Sequence, residues 1–146
     1  KQMFGVDLKN KSVLDMGTGT GILAIVAKKL EASTIVGIDI DEWSVENSIE
    51  NVNINNCKNI SIKKGDVQDL ENETNFDIIL ANINKNILKK HLPHYSTKLN
   101  KTGNIILSGF FSTDVEELVE LASKNNLNKI IVNTENEWAM ILLTKM

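Results

Sequence analysis

Gly17, Gly19 and Gly21 occupy alternate positions in the stretch VLDMGTGTGILA (13–24), and Asp15 stands two residues before the first of them. A turn that leaves a strand and enters a helix needs residues that tolerate positive φ and let a ligand come close to the backbone, and alternate glycines supply both. Three are more than a bare turn requires. A phosphate loop of the form G-x-x-x-x-G-K-[ST] would need its lysine and following hydroxyl, which are missing here. A dinucleotide turn, G-x-G-x-x-G, would need glycine where Ile22 stands. A carboxylate at the mouth of such a turn repels a pyrophosphate and favours a ligand that carries an ammonium and a sulfonium.

S-adenosylmethionine is a ligand of that kind, with Asp15, Gly17, Thr18, Gly19 and Gly21 forming the loop beneath it. Asp39 ends the next apolar run, VGID, eighteen residues after Gly21. That is near the spacing at which an acid accepts hydrogen bonds from ribose hydroxyls, a feature common to both classes of nucleotide cofactor. Ile40 follows and can pack on an adenine ring. Asp66, in the turn KKGDV, is either a turn-forming Gly-Asp or an acceptor for the adenine amino group, with the Val67 backbone beside it.

Other chemistry is poorly supported. His91 and His94 flank Pro93, which should interrupt the helix that would align them, and two histidines without a third ligand make a poor metal site; none is expected. The single cysteine, Cys57, excludes an internal disulfide and suits a reducing compartment. Sixteen basic residues, all lysine, against nineteen acids leave a net charge of −3, which gives no general attraction to nucleic acid. Lys85, Lys89 and Lys90 read as a solvated helix face, and Trp43 and Trp138 as packing residues. No apolar run approaches the roughly 20 residues of a membrane span and no secretory leader is visible, so a cytoplasmic location is expected.

The elements that must hold these residues alternate between strand-length apolar runs and amphipathic stretches of helical length, the pattern of parallel strands joined by crossover helices. Strands are predicted at SVLDM, TIVGID, NISIKKGD, FDIILANI and NIILSG, and the leading KQMFGVDLKNK as a helix end plus a connection. A helix is predicted from about Thr20 to Ala32, and another after an Asp41 N-cap with Val45, Ile49 and Val52 on one face. A poorer helix runs through Leu88 and Leu92, and Thr113 with Glu116 reads as a capping box before VEELVELASKNN. NKIIVNT and EWAMILLTKM are separated by a few polar residues around Asn136, too few for a crossover, so they should close the sheet as an antiparallel hairpin. The predicted fold is α/β: a doubly wound, seven-stranded, Rossmann-like sheet, mostly parallel, with about six helices and a C-terminal antiparallel hairpin.

These residues resemble the class I S-adenosylmethionine-dependent methyltransferases and, more narrowly, the catalytic domain of the ribosomal protein L11 methyltransferase family. The resemblance rests on VLDMGTGTGILAI, VGIDID, ANI, LSGF and the terminal EW, and covers nearly the whole chain. It implies that the three glycines line the methionine part of the cofactor with Asp15 near its amino end. It further implies that Asp39 holds the ribose, that Asp66 meets the adenine, and that Asn82 faces the transferable methyl group as the catalytic residue. The implied reaction is methylation of an amino group, lysine or α-amine, on a protein substrate of the large ribosomal subunit. The alternatives are a small-molecule N- or O-methyltransferase, a non-catalytic cofactor-binding fragment and, more remotely, a nicotinamide oxidoreductase. No Pro-Pro-aromatic clamp follows Asn82, which favours an aliphatic amine over a planar one. Departures from the family are Asn84 in place of a leucine and the pair Phe110 and Phe111 in place of aliphatic residues. Residues 1–146 are expected to be a single domain, the C-terminal part of a longer protein whose upstream region recognises the substrate.

Overall fold

In the computed structural model the described residues are 2–146, with Gln2 described by its backbone alone. The leading segment folds as a small antiparallel hairpin, β1 (Gln2–Met3) and β2 (Val6–Asp7), rather than the expected helix end. Its two-residue loop, Phe4 and Gly5, has positive φ at both positions (49° and 84°), the conformation that matches the twist of paired strands.

The main sheet comprises β3 (Ser12–Met16), β4 (Thr34–Asp39), β5 (Ile60–Lys64), β6 (Phe76–Asn82), β7 (Leu99–Phe111), β8 (Leu127–Glu135) and β9 (Trp138–Lys145). Their spatial order is β5-β4-β3-β6-β7-β9-β8. The first five pair in parallel, while β9 is antiparallel to both β7 and β8, so the closing hairpin inserts its second strand into the sheet and leaves β8 at the edge. This is the doubly wound, mostly parallel sheet expected from the sequence.

Both faces of the sheet are covered, and successive strand residues divide between them. Leu14, Ile79, Ala81, Ile105 and Leu107 face a core completed by α3 (Lys85–Lys98) and α4 (Val115–Lys124). Val13, Ile35, Ile78, Leu80 and Ile106 face a second core with Ala24 and Ala27 of α1 (Ile22–Lys29) and with Met3, Val6 and Leu8. Burial on both faces explains why these strands read as unbroken apolar runs.

Four α-helices and two short 3-10 helices, 67–72 and 112–114, connect the strands among the described residues. Asp41 caps α2 (Glu42–Ile54), accepting from the Ser44 N–H at 3.2 Å. The inward face of α2 carries Ser48 and Val52, whereas Ile49 is exposed. The capping box expected of Thr113 and Glu116 is replaced by Asp114, whose carboxylate accepts from the Phe111 N–H at 3.1 Å. α3 continues through Pro93 instead of breaking there. Leu88, Leu92 and Tyr95 on its inner face are wholly buried, and their packing outweighs the one helical hydrogen bond that proline cannot donate.

Candidate active site

The strand order reverses between β3 and β6, and in an open α/β sheet the crevice at the carboxyl ends of the strands flanking that point is where ligands bind. A cleft of about 370 Å³ opens there, lined by Met16, Gly17, Ile38, Asp39, Ile40, Gly65, Asp66, Ile83, Ile87, Lys90 and His91. Four residues singled out from the sequence, Gly17, Asp39, Ile40 and Asp66, therefore line the same cleft. Thr18, Gly19, Gly21, Val67 and Asp15 are not among the lining residues, and Asn82 immediately precedes the cleft residue Ile83.

The glycine loop is held by its own amides. Gly17 N–H and Thr18 N–H both donate to the Ile38 carbonyl (2.8 and 3.0 Å), Gly19 N–H to Asp39 Oδ2 (2.9 Å) and Gly21 N–H to the Thr18 carbonyl (2.9 Å). A phosphate cradle would have such amides pointing at its ligand, so this turn is not one. All three glycines have left-handed φ (70°, 57° and 83°). At Gly17 a Cβ would also lie 3.0 Å from Ile83 Cγ1, so the close approach of the β3 and β6 loops requires glycine.

Asp15 is not at the mouth of the loop, as the charge argument supposed, but beneath it and only 1% exposed. It accepts from the Thr18 hydroxyl at 2.8 Å and from the Ala24 N–H in the first turn of α1. A carboxyl group thus occupies, from inside, the helix N-terminus that would receive a phosphate in a dinucleotide site. Burial pushes its pKa up to about 7, against the opposing Thr18 and Ala24 hydrogen bonds. Asp15 thus acts on this turn through an occupied amide position more than through a fixed negative charge at its mouth.

Asp39 is half-buried and lines the cleft, and its two oxygens accept from Gly19 N–H and from Asp41 N–H (3.0 Å), each keeping capacity for a further hydrogen bond. Ile40 is exposed beside it. Asp66 Oδ1 accepts from the Val67 N–H at 2.7 Å, and the Val67 side chain is buried in the core. Asn82, exposed at the end of β6, has its Oδ1 held by the Ser108 hydroxyl at 3.2 Å. Gly109 (φ 90°) lets β7 pass close by, since a Cβ there would sit 2.7 Å from that same oxygen.

The family model for ribosomal protein L11 methyltransferase (PrmA) matches residues 2–146. The chain belongs to this family. Curated members named ribosomal protein L11 methyltransferase from Phocaeicola vulgatus and Porphyromonas gingivalis are each 41% identical to it, over 96% and 97% of this chain and 50% and 49% of their own lengths. A solved structure of ribosomal protein L11 methylase from Lactobacillus delbrueckii subsp. bulgaricus superposes with a TM-score of 0.90 at 30% identity, covering 95% of this chain and 72% of that one. The chain spans about half the length of the curated relatives it matches.

In this L11-methyltransferase-family domain some residues around the loop carried no readable signal, and others stand differently from their sequence reading. Ser48 of α2 donates to the Gly19 carbonyl at 2.5 Å and Asn51 to the Thr20 carbonyl at 2.8 Å, so α2 pins the glycine loop from outside. Lys90 and His91, in the part of α3 that precedes Pro93, line the cleft. Lys85 and Lys89 reach Glu117 of α4 at 3.2 and 2.5 Å, and so form an interhelical ion-pair network rather than a free solvated face. Phe110 is core, while Phe111 is 47% exposed and stacks on Trp138, itself 54% exposed, at a centroid distance of 4.6 Å. Trp43 also stands exposed, against the expectation of packing. No group of three metal-ligating side chains occurs among the described residues, and no helix among them is long and apolar enough to cross a membrane.

Proposed function

We propose that this domain binds S-adenosylmethionine in the switch-point cleft and transfers its methyl group to an amino group, lysine or α-amine, of a protein of the large ribosomal subunit. The observation that carries this reading is the convergence of Gly17, Asp39, Ile40 and Asp66 on one cleft, with Asn82 next to its lining residue Ile83. The residues fit the cofactor. Asp39 keeps acceptor capacity on both oxygens for vicinal hydroxyls, Ile40 and Ile83 offer apolar surface for a ring, and Gly17 has no side chain to hold a ligand off its backbone.

The cofactor supplies a methyl carbon already activated by positive sulfur, so alignment and removal of water matter more than a strong acid or base. Asn82 Oδ1, steadied by Ser108, accepts from the incoming amine N–H and turns its lone pair toward the cleft. The amine must arrive neutral: a lysine, at about 10.4 in water, sheds its proton on or before entry, helped by desolvation. The buried carboxyl of Asp15 lies out of reach beneath the loop, so no base is assigned. The names of the relatives support the choice of substrate, and their greater length supports a reading in which this domain is the catalytic part of a longer enzyme. A ribosomal substrate puts the reaction in the cytoplasm.

The test is incubation of the full-length protein with methyl-labelled cofactor and ribosomal proteins from a strain lacking it. Label in one large-subunit protein is expected. Label confined to small molecules, or none at all, overturns the reading.

A further inference from the structure

A second set of polar groups lies in the cleft wall and takes no part in the mechanism above. Tyr95 is 0% exposed within the α3-side core, and its hydroxyl is 2.8 Å from His91 Nδ1, one helical turn earlier on α3. The rings meet edge to face, with centroids 5.5 Å apart at 76°. The other ring nitrogen, Nε2, faces Asp66 Oδ1 at 3.6 Å. Burial holds the Tyr95 hydroxyl far above its ordinary pKa, so it always carries a proton. Burial also lowers His91, against the Asp66 charge, which keeps the imidazole neutral near pH 7.

A neutral imidazole bears one proton. If Nδ1 carried it, Nε2 would present a lone pair to a carboxylate. If the tyrosine donates to Nδ1, Nε2–H points at Asp66 and every group has a compatible partner. The separation of 3.6 Å is just outside hydrogen-bond range, and a small turn of the partly exposed Asp66 side chain closes it. The Val67 N–H is already on Oδ1, the Asp69 N–H also donates to this carboxylate in the capping box of the 67–72 turn, and the half-exposed group keeps acceptor capacity for a ligand.

We propose that Tyr95 and His91 form a buried positioning pair that fixes the Asp66 carboxylate for the exocyclic amine of the cofactor's adenine. Tyr95 sets the tautomer and His91 holds the carboxylate; neither is a catalytic residue. The inference rests on the proposed cofactor site, and it makes base discrimination a property of α3 as well as of the Asp66 turn.

The test compares binding of S-adenosylhomocysteine and its inosine counterpart, in which a carbonyl replaces the amine, by calorimetry on the full-length protein. The parent should prefer the adenine form by about ten- to hundredfold, the range of one hydrogen bond to a charged acceptor. His91→Phe should reduce that preference to within a few-fold, and Tyr95→Phe should reduce it part-way while leaving the fold intact. Nitrogen NMR of the parent should show a protonated Nε2 and an unprotonated Nδ1 on His91, with this bias lost in Tyr95→Phe. Unchanged preference in His91→Phe, or a protonated Nδ1 in the parent, overturns the proposal while leaving the cofactor site standing. Failure of the parent to bind either nucleoside overturns both.

Discussion

Replacing Asp15 by asparagine isolates the cost of a buried carboxylate in the glycine loop. In the unfolded chain this group ionises near 3.8, whereas burial in the fold keeps it protonated up to about 7. Between those values the folded state holds a proton that the unfolded state has released. Stability therefore falls as pH rises through that window and levels off above it. The window is roughly three pH units wide at about 1.4 kcal/mol each, which caps the effect at about 4 kcal/mol. Asparagine keeps an oxygen for the Thr18 hydroxyl but has no charge to bury. One acceptor toward the first turn of α1 is lost, a pH-independent penalty of about 1 kcal/mol. Urea unfolding of both proteins from pH 4 to pH 8, without ligand, should show the variant gaining on the parent by up to about 4 kcal/mol across the window. Parallel pH profiles would refute the reasoning, because they would mean that Asp15 ionises in the fold as it does in water.

Asp39→Ala should weaken binding of S-adenosylhomocysteine by roughly 1.5–3 kcal/mol through lost charge-assisted hydrogen bonds, measured by calorimetry. Because Asp39 also holds Gly19 and Asp41 N–H groups, the melting temperature should fall as well. Gly17→Ala should destabilise the fold by roughly 1–2 kcal/mol, since its φ of 70° and the 3.0 Å approach to Ile83 both oppose a Cβ; an unchanged unfolding midpoint would contradict this. Asn82→Ala should leave cofactor affinity intact and slow single-turnover methyl transfer by about tenfold or more, and an unaltered rate would remove it from the reaction.

The sheet was readable because its strands are buried on both faces, and the final hairpin because the segment around Asn136 is too short for a crossover. The glycine loop and Asp39 were readable because their spacing is tied to a strand-turn-helix geometry that few sequences satisfy. Asp15 was legible as important but not as buried, since nothing in VLDMG says whether the acid points to solvent or under the turn. His91 was set aside with His94 because Pro93 predicts a break in their helix, and only the three-dimensional packing of Leu88, Leu92 and Tyr95 shows why α3 continues and brings the Tyr95 hydroxyl against the imidazole. Ser48 and Asn51 act on the loop from 29 and 31 positions away in sequence, and a single sequence carries no mark of such a contact.

Calorimetric titration of the full-length protein with S-adenosylhomocysteine and, separately, with NAD tests the central claim most directly. Saturable one-site binding of the former, lost in Asp39→Ala, with no measurable heat from NAD, is the result predicted here. Tight NAD binding with none of S-adenosylhomocysteine would contradict it.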